Sequence, residues 1–456
     1  MTPNIKNFFP PITLPVIFFA ILILVGGMLL HSPYSHTGHE ISWTNAFFTA
    51  TSAVCVTGLI VVDTGSFFTG FGQGVILLLI QLGGLGIMTF ASLIFFLWRR
   101  RVSLTDRIAV GQSILHDRTF HLGTFLLRMI TWTLLLEGLG AVLIFLLAPA
   151  TVTPFAAFFH AVSAFCNAGF SLYADSLVSW QGTWGVNLVI MFLIIAGGLG
   201  FSVLVELQTV AMKKIKPSRV PGHPVGLSWY AVTVIKTSFM LIIVGWATIY
   251  LAEYIGFQRQ VPFSESVLTS LFQSVTCRTA GFNTMEIGGM TNLSLLVMTV
   301  LMFIGGASGS CAGGIKVSTF RVFWAFIASQ LRGGDQVVIR NFAVDRRDVS
   351  RALVLITFTL FLIFAATLLL SATEGGDIPH PQARGLFMDI LFEVVSAIGT
   401  VGLSTGLTAK LSMAGKWIVT VLMFIGRLGP LVFLAVVQEL RREKLFRRPD
   451  ENILIG

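Results

Sequence analysis

Long apolar segments recur along this chain, and they constrain its fold more than any motif does. A helix needs about 20 such residues to cross a hydrocarbon core of about 30 Å with its backbone polar groups bonded internally. Eight are read here, at 12–30, 75–98, 124–147, 185–211, 231–255, 291–326, 350–371 and 414–438, the sixth interrupted. With 55% apolar and 11% charged residues, the chain is no ordinary soluble globule, whose charged share is about a quarter. Only Lys6 precedes the first segment, Pro10, Pro11 and Pro15 crowd its start, and no small-residue cleavage site follows. A cleaved signal peptide is therefore not expected.

The net charge of +9 reads as topology. Segments 99–128, 213–236, 332–351 and 441–448 hold 21 of the 30 basic residues, whereas the outer-side loops between them hold only Arg259, Arg278, Arg384, Lys410 and Lys416, the other four being Lys6, Lys316, Arg321 and Arg427. The rich side is cytoplasmic by the positive-inside rule, which places both termini inside. No segment is long enough for a soluble basic module with exposed aromatics, so nucleic acid is not an expected partner. The four cysteines lie in apolar stretches without the spacing of a disulfide scaffold.

Hydropathy hides an internal repeat. Four shorter stretches, Phe48 to Gly58, Phe159 to Gly169, Leu271 to Gly281 and Phe392 to Gly402, align with each glycine ten residues beyond its Phe or Leu. An apolar residue follows each glycine: Leu59, Phe170, Phe282 and Leu403. The next apolar segment carries a second repeated element, beginning at Gly83, Gly197, Gly305 and Gly426. The expected architecture is an all-α integral membrane protein of eight transmembrane helices, with four linked helix–pore helix–helix units of about 114 residues around a pseudo-fourfold pore. The units are 10–111 (pore loop 44–59), 112–222 (154–170), 223–340 (263–283, with a broken inner helix at 305–314) and 341–440 (385–404), followed by a tail at 441–456.

The short stretches are too brief to span, and several open on capping signals: Ser42 or Thr44, Thr153 before Pro154, and Ser264 before Glu265. A segment that enters the bilayer and returns as extended chain is tolerated only where it is buried in protein or lines water. Four of them facing one axis would aim their negative helix ends at a cavity, while carbonyls of the returning loops replace a cation's water shell. Glycine suits the turn because a Cβ would obstruct a positive φ or inward-aimed carbonyls. The plainer alternative is that each glycine only terminates a short helix.

With these residues the chain resembles the Trk/Ktr/HKT superfamily of potassium transporters, in particular its KtrB-type membrane subunit, over residues 10 to 456. The resemblance is carried by Thr57-Gly58-Leu59, Asn167-Ala168-Gly169-Phe170, Arg278-Thr279-Ala280-Gly281-Phe282-Asn283, Thr400-Val401-Gly402-Leu403-Ser404, Gly313 to Phe320, and Ile425 to Pro430. It implies potassium uptake through a filter with one glycine from each unit, a homodimer, and a separate cytoplasmic ring of nucleotide-binding subunits. The tail Pro449 to Gly456 is similar to one that members insert at the dimer interface. Trk-type members carry extra N-terminal helices that are missing here, which favours the Ktr type. Glycine at all four filter positions is similar to potassium-selective members, whereas serine in the first unit goes with sodium permeation.

The expected coordinating set is the carbonyls of Val56, Thr57, Asn167, Ala168, Thr279, Ala280, Thr400 and Val401, with Gly58, Gly169, Gly281 and Gly402. Beneath it, Gly305, Gly306, Ala307, Ser308, Gly309, Ser310, Cys311, Ala312, Gly313 and Gly314 hold too much glycine for a helix interior, at about 1 kcal/mol each relative to alanine. The expectation is a mobile loop across the permeation path, a gate in the resembled family; the alternative is a small-residue packing face. Arg427 replaces the second glycine of the repeated pair, and it either pairs with Glu393, Asp389 or Glu206 or faces the pore as a barrier. Lys316 either holds the loop to a neighbouring helix or the cytoplasmic surface, or snorkels. Arg278 is expected to brace filter-loop carbonyls, His160 to be a hydrogen-bonded strut, and Cys55, Cys166 and Cys277 to be small wall residues rather than metal ligands.

No phosphate-cradling glycine loop follows a strand, so control would be borrowed from a partner, and no organic cofactor is expected. Sodium stimulation is compatible with this reading, and a sodium or non-selective monovalent cation pathway is the first alternative. No Gly-x-Ser-x-Gly, His-Glu-x-x-His or paired-aspartate pattern suggests an enzyme. A coupled organic-solute transporter would show inverted repeats and interrupted helices in two halves, whereas here the units run parallel and one inner helix is expected to be broken.

Overall fold

The computed structural model describes residues 14–86, 122–215, 226–256, 261–376, 379 and 381–429. The expected second half of 75–98, much of the basic segment 99–128 and the 441–456 tail lie outside them. An outer helix, a half-helix and an inner helix follow one another four times. The outer helices are α1 Leu14–His31, α5 Leu122–Leu147, α9 Trp229–Tyr250 and α13 Arg346–Gly375. The half-helices are α2 Trp43–Val54, α6 Pro154–Phe165, α10 Phe263–Thr276 and α14 Leu386–Gly399. The inner helices are α4 Gly70–Gly84, after the single turn α3 Thr64–Phe67; α7 Trp184–Leu199 with α8 Phe201–Ile215; α11 Asn292–Phe303 with α12 Val317–Leu331; and α15 Met413–Leu428. A hairpin of β1 Val338–Ile339 and β2 Phe342–Ala343 joins α12 to α13.

Three described helices are long and apolar enough to cross a membrane unbroken, at Leu127–Leu147, Trp229–Gly256 and Arg346–Gly375. Phe361, Phe364 and Leu368 on α13, like Phe239 and Met240 on α9, are exposed, as a lipid-facing surface requires. The half-helices lie inside. Phe48, Phe159, Phe272 and Phe392 are fully buried, and so are Leu59, Phe170 and Phe282 after the glycines, so each half-helix and its returning strand is pinned at both ends by apolar packing.

Local chemistry sets the element ends. The side chain of Ser42 accepts from Asn45 N and that of Thr153 from Ala156 N, with Pro154 in the first helical turn. The third half-helix starts after Pro262 without a side-chain cap; Ser264 lies inside its first turn and accepts from Trp184 Nε1 at 3.2 Å. Gly385 opens the fourth at φ +88°. Three carboxylates splice one helix to the cap of another: Glu206 to Ser228, Glu253 to Thr291 N and Oγ1 at 2.9 and 2.8 Å, and Glu374 to Ser412 N and Oγ at 3.0 and 2.6 Å. Each satisfies a backbone donor and a hydroxyl that a membrane interior leaves without water.

Each inner helix also packs against the half-helix of the following unit: α4 on α6, α7 on α10, α11 on α14, and α15 back on α2. That closes a ring. Within each unit the repeated glycines bring the inner helix close to its own half-helix, because a Cβ on Gly83, Gly197 or Gly426 would strike the carbonyl oxygen of Val54, Phe165 or Ile398 near the half-helix end.

The expectation of a single broken inner helix is corrected. In the second unit α7 and α8 are bent by 104° across Gly200, whose φ of +85° only glycine adopts freely. Gly86 and Gly429 take φ of +83° at the corresponding ends of α4 and α15. Hydropathy misses this break because the residues on both sides remain apolar.

The close approach yields a stability prediction. Gly197→Ala should destabilise the protein by about 1–3 kcal/mol through overpacking against the Phe165 carbonyl. Gly74→Ala, where a Cβ meets nothing within 4 Å, should be neutral or stabilising. Thermal unfolding of both variants in detergent checks the contrast, and an equal loss would remove the packing explanation.

Candidate functional site

Beyond each half-helix the backbone takes the same unusual path. Val56, Asn167, Thr279 and Thr400 have φ of 54°, 59°, 67° and 48°, and two residues later Gly58, Gly169, Gly281 and Gly402 have 92°, 70°, 81° and 92°. A left-handed conformation costs a β-branched residue about 1–3 kcal/mol and persists only where the surroundings over-determine it. Here it recurs at one position in four strands. The amides are turned back: Thr57, Ala168 and Val401 N–H donate to Ser52, Ser163 and Ser396 O at 2.7–2.8 Å, and Ala280 N–H donates to Thr276 O at 2.9 Å. Gly58 and Gly402 N–H donate to Ser52 and Ser396 Oγ, both at 3.1 Å. With these donors satisfied behind the strand, its carbonyls are the backbone groups left for the axis.

The four strands meet. A Cβ on Gly58 would collide with the carbonyl oxygen of Ala168, on Gly169 with that of Ala280, on Gly281 with that of Val401, and on Gly402 with that of Thr57. The chain of contacts therefore returns to its start, with Thr57, Ala168, Ala280 and Val401 oxygens and four glycine Cα positions around one centre. Among the described residues, the buried hydroxyls of Thr57, Thr279 and Thr400 have no hydrogen-bond partner. An orphaned buried hydroxyl costs about 1–3 kcal/mol unless a group absent from the protein satisfies it. These oxygens suit a weakly hydrated hard cation.

Directly beside this ring runs the chain between α11 and α12. Gly305 N–H donates to Ile315 O at 2.8 Å and Ile315 N–H to Phe303 O at 3.2 Å, so the loop is closed at its neck. Its body touches the other three units. Ala307 N–H donates to Gly198 O at 2.9 Å, Phe201 N–H donates to Gly309 O at 3.2 Å, and Cys311 Sγ donates to Gly84 O at 3.0 Å. A Cβ on Gly313 would strike the Thr400 hydroxyl and the Gly399 carbonyl of the fourth unit. The 305–314 segment thus packs against the inner helices of the first and second units and the end of the fourth half-helix, next to the four positive-φ strands.

Arg427 is buried and pairs with no carboxylate among the described residues. It donates to the carbonyls of Cys311 and Gly83, tying the loop to the first and fourth inner helices. Two of the three suggested partners are engaged elsewhere: Glu393 accepts from Ser404 and Thr408, and Glu206 from Ser228. The ion pair expected as one alternative is not seen among the described residues, where the guanidinium donates to backbone carbonyls instead. Lys316 Nζ reaches Ala312 O at 2.7 Å, within the loop rather than to a neighbouring helix.

His160 is held by Ala156 O at 2.7 Å and Ser171 Oγ at 2.9 Å, and it stacks on Tyr173 behind the second strand. Cys55, Cys166 and Cys277 are buried thiols that cap their half-helices. Sequence reading missed the threonine hydroxyls; three of the four strands carry threonine within two residues of the glycine, which is the signal that could have found them.

Comparison with known proteins agrees with this architecture. The family model described as TrkH, cation transport protein, matches residues 16–448. The chain is 38% identical to Ktr system potassium uptake protein B of Bacillus subtilis strain 168, covering 99% of this chain and 97% of that protein. It is 33% identical to potassium/sodium uptake protein NtpJ of Enterococcus hirae, covering 100% and 99%. The solved structure of the potassium transporter TrkH from Vibrio parahaemolyticus shares the fold with a TM-score of 0.75 at 19% identity, covering 95% of this chain and 86% of that one. The protein is a membrane transporter and not an enzyme, and it belongs to the TrkH family of cation transport proteins.

Proposed function

We propose that this chain takes up potassium across the cytoplasmic membrane of a prokaryote, through a filter of main-chain carbonyls closed from below by the 305–314 loop. The observation that carries the reading is the cyclic contact of Gly58, Gly169, Gly281 and Gly402 with the carbonyl of the next unit. Such a ring can strip and cradle a dehydrated alkali cation, with the carbonyls of Val56, Asn167, Thr279 and Thr400 and the threonine hydroxyls as further ligands. The half-helix ends just before it add a partial negative charge of about half a unit each. The relatives named as potassium uptake proteins support potassium as the cargo.

Arg427, Lys316 and the loop form the closed barrier. A cation leaving the filter would meet backbone packed across the axis and a guanidinium, so conduction requires the loop to withdraw. The exposed Arg332, Arg340, Arg346 and Arg347 around the 338–343 hairpin suit contact with a cytoplasmic nucleotide-binding ring that moves it. A homodimer with both termini inside completes the assembly, and sodium stimulates flux. The Enterococcus hirae relative, named a potassium/sodium uptake protein, favours one second reading, a pathway that also admits sodium. Growth of a potassium-uptake-deficient strain at micromolar potassium, with and without a regulatory ring, tests uptake; failure in both conditions rejects it.

Two variants test the parts. Gly58→Ser forces a side chain against the Ala168 carbonyl, and the potassium-to-sodium flux ratio should fall about tenfold or more; an unchanged ratio in liposomes contradicts the filter. Deleting 306–313 should raise basal potassium flux about tenfold or more and reduce dependence on the partner, since it removes the contacts to Gly198, Gly84 and Arg427. Unaltered flux would make the segment a packing element.

A further inference from the structure

The position three residues before the filter glycine is Cys55, Cys166 and Gly399 in three units, but Arg278 in the third. Its main chain belongs to the filter strand: Arg278 N–H donates to Val275 O at 3.0 Å, and left-handed Thr279 follows. Its side chain does not turn toward the filter carbonyls. Nη2 donates to Gly305 O at 2.7 Å, where the chain leaves α11 and the loop begins, and Nη1 reaches Ser238 O on α9 at 3.4 Å. The residue is 93% buried, by its relative exposure of 7%. Among the described residues it has no salt bridge, and its Nε–H has no partner. One side chain thus joins the strand that holds the cation to the neck of the loop that blocks it.

The surroundings give this bond consequence. Arg278 and Gly306 line a small cavity of about 20 Å³ together with Ile194 and Gly198 of α7 and Ser238 and Ile242 of α9, room for about one water. The space lies beside the loop neck, where withdrawal of the loop would move Gly305 and Gly306. Such a movement would strip the guanidinium of its shortest bond in a largely apolar wall. A charge so exposed at membrane depth is costly, so the bond opposes withdrawal of the loop. The free Nε–H offers a replacement bond to a displaced loop carbonyl.

We infer that Arg278 is a positioning residue that ties the closed setting of the 305–314 loop to the third filter strand, so that displacing either one is felt by the other. This rests on the gated-pathway reading and deepens it. It assigns the latch to the filter side of the loop, independent of the hold that Arg427 exerts from the fourth inner helix.

The test uses the full chain in liposomes, with Arg278→Gln and Arg278→Lys each made with the loop intact and with 306–313 deleted. Basal potassium flux and the potassium-to-sodium ratio are read in all of them. With the loop intact, Arg278→Gln should raise basal flux about tenfold, and Arg278→Lys, whose single ammonium reaches one carbonyl, should raise it less. With the loop deleted, neither substitution should raise flux further. An equal effect in both backgrounds, or a ratio shifted equally in both, overturns the inference and makes Arg278 a brace of the filter alone. If deletion itself leaves flux unaltered, the gate reading falls and takes the latch with it. Where Arg278→Gln fails to assemble, as judged by size-exclusion chromatography, the lysine variant decides the same comparison.

Discussion

The close contact between each filter glycine and the carbonyl of the next unit is the constraint from which the rest of this structure follows. Backbone that approaches backbone so closely excludes every side chain at four positions and makes the strands one object. To hold it, the amides behind must be satisfied locally, which the half-helix carbonyls and the Ser52 and Ser396 hydroxyls accomplish. The half-helices must in turn be gripped by neighbours. Gly83, Gly197 and Gly426 let the inner helices come against their carboxyl ends, and each inner helix spans two units, so no unit can shift alone.

The third unit breaks the symmetry. Where Gly83, Gly197 and Gly426 press on a half-helix carbonyl, Gly305 meets Gly313 of its own loop, because the chain has left the helix there. The excursion is fixed by carbonyls rather than carboxylates: Arg427 on Cys311 and Gly83, Arg278 on Gly305, and Lys316 on Ala312. Carbonyl acceptors leave the positive charge intact. They therefore hold the loop and preserve a repulsive field under the ring, two effects that an ion pair would have set against each other.

Much of this was legible in the residues. The aligned glycines located the four positive-φ strands that follow the half-helices, and Phe48, Phe159 and Phe392 with their apolar partners after the glycine fixed the register, because burial at both ends of a half-helix leaves a pattern. Ser42 and Thr153 announced their helix starts, whereas Ser264 misled by a turn, since Pro262 with its fixed φ already begins the third half-helix. The bend at Gly200 was not legible: a break between two apolar segments changes backbone torsion, not hydropathy. Nor were the partners of Arg427, Lys316 and Arg278. Charge suggests carboxylates, but a glycine-rich loop presents bare carbonyls whose position only the folded chain reveals.

The distribution of charge through the depth of the molecule gives the closed arrangement its logic. Glu206, Glu253 and Glu374 are spent on helix caps, and Glu393 on Ser404 and Thr408, after the fourth filter strand. Glu137, on the outer helix α5, is taken up by Gln81 at 3.1 Å and the Cys166 thiol at 3.7 Å. At the loop, by contrast, the charged groups bonded to its carbonyls are all basic. In the pathway proposed above, a cation would be attracted by oxygen dipoles at the ring and opposed by the guanidinium and ammonium at the loop. On that reading glycine backbone blocks the path sterically and the basic groups make the block electrostatic as well, so opening would have to remove the loop and its charges from the axis together.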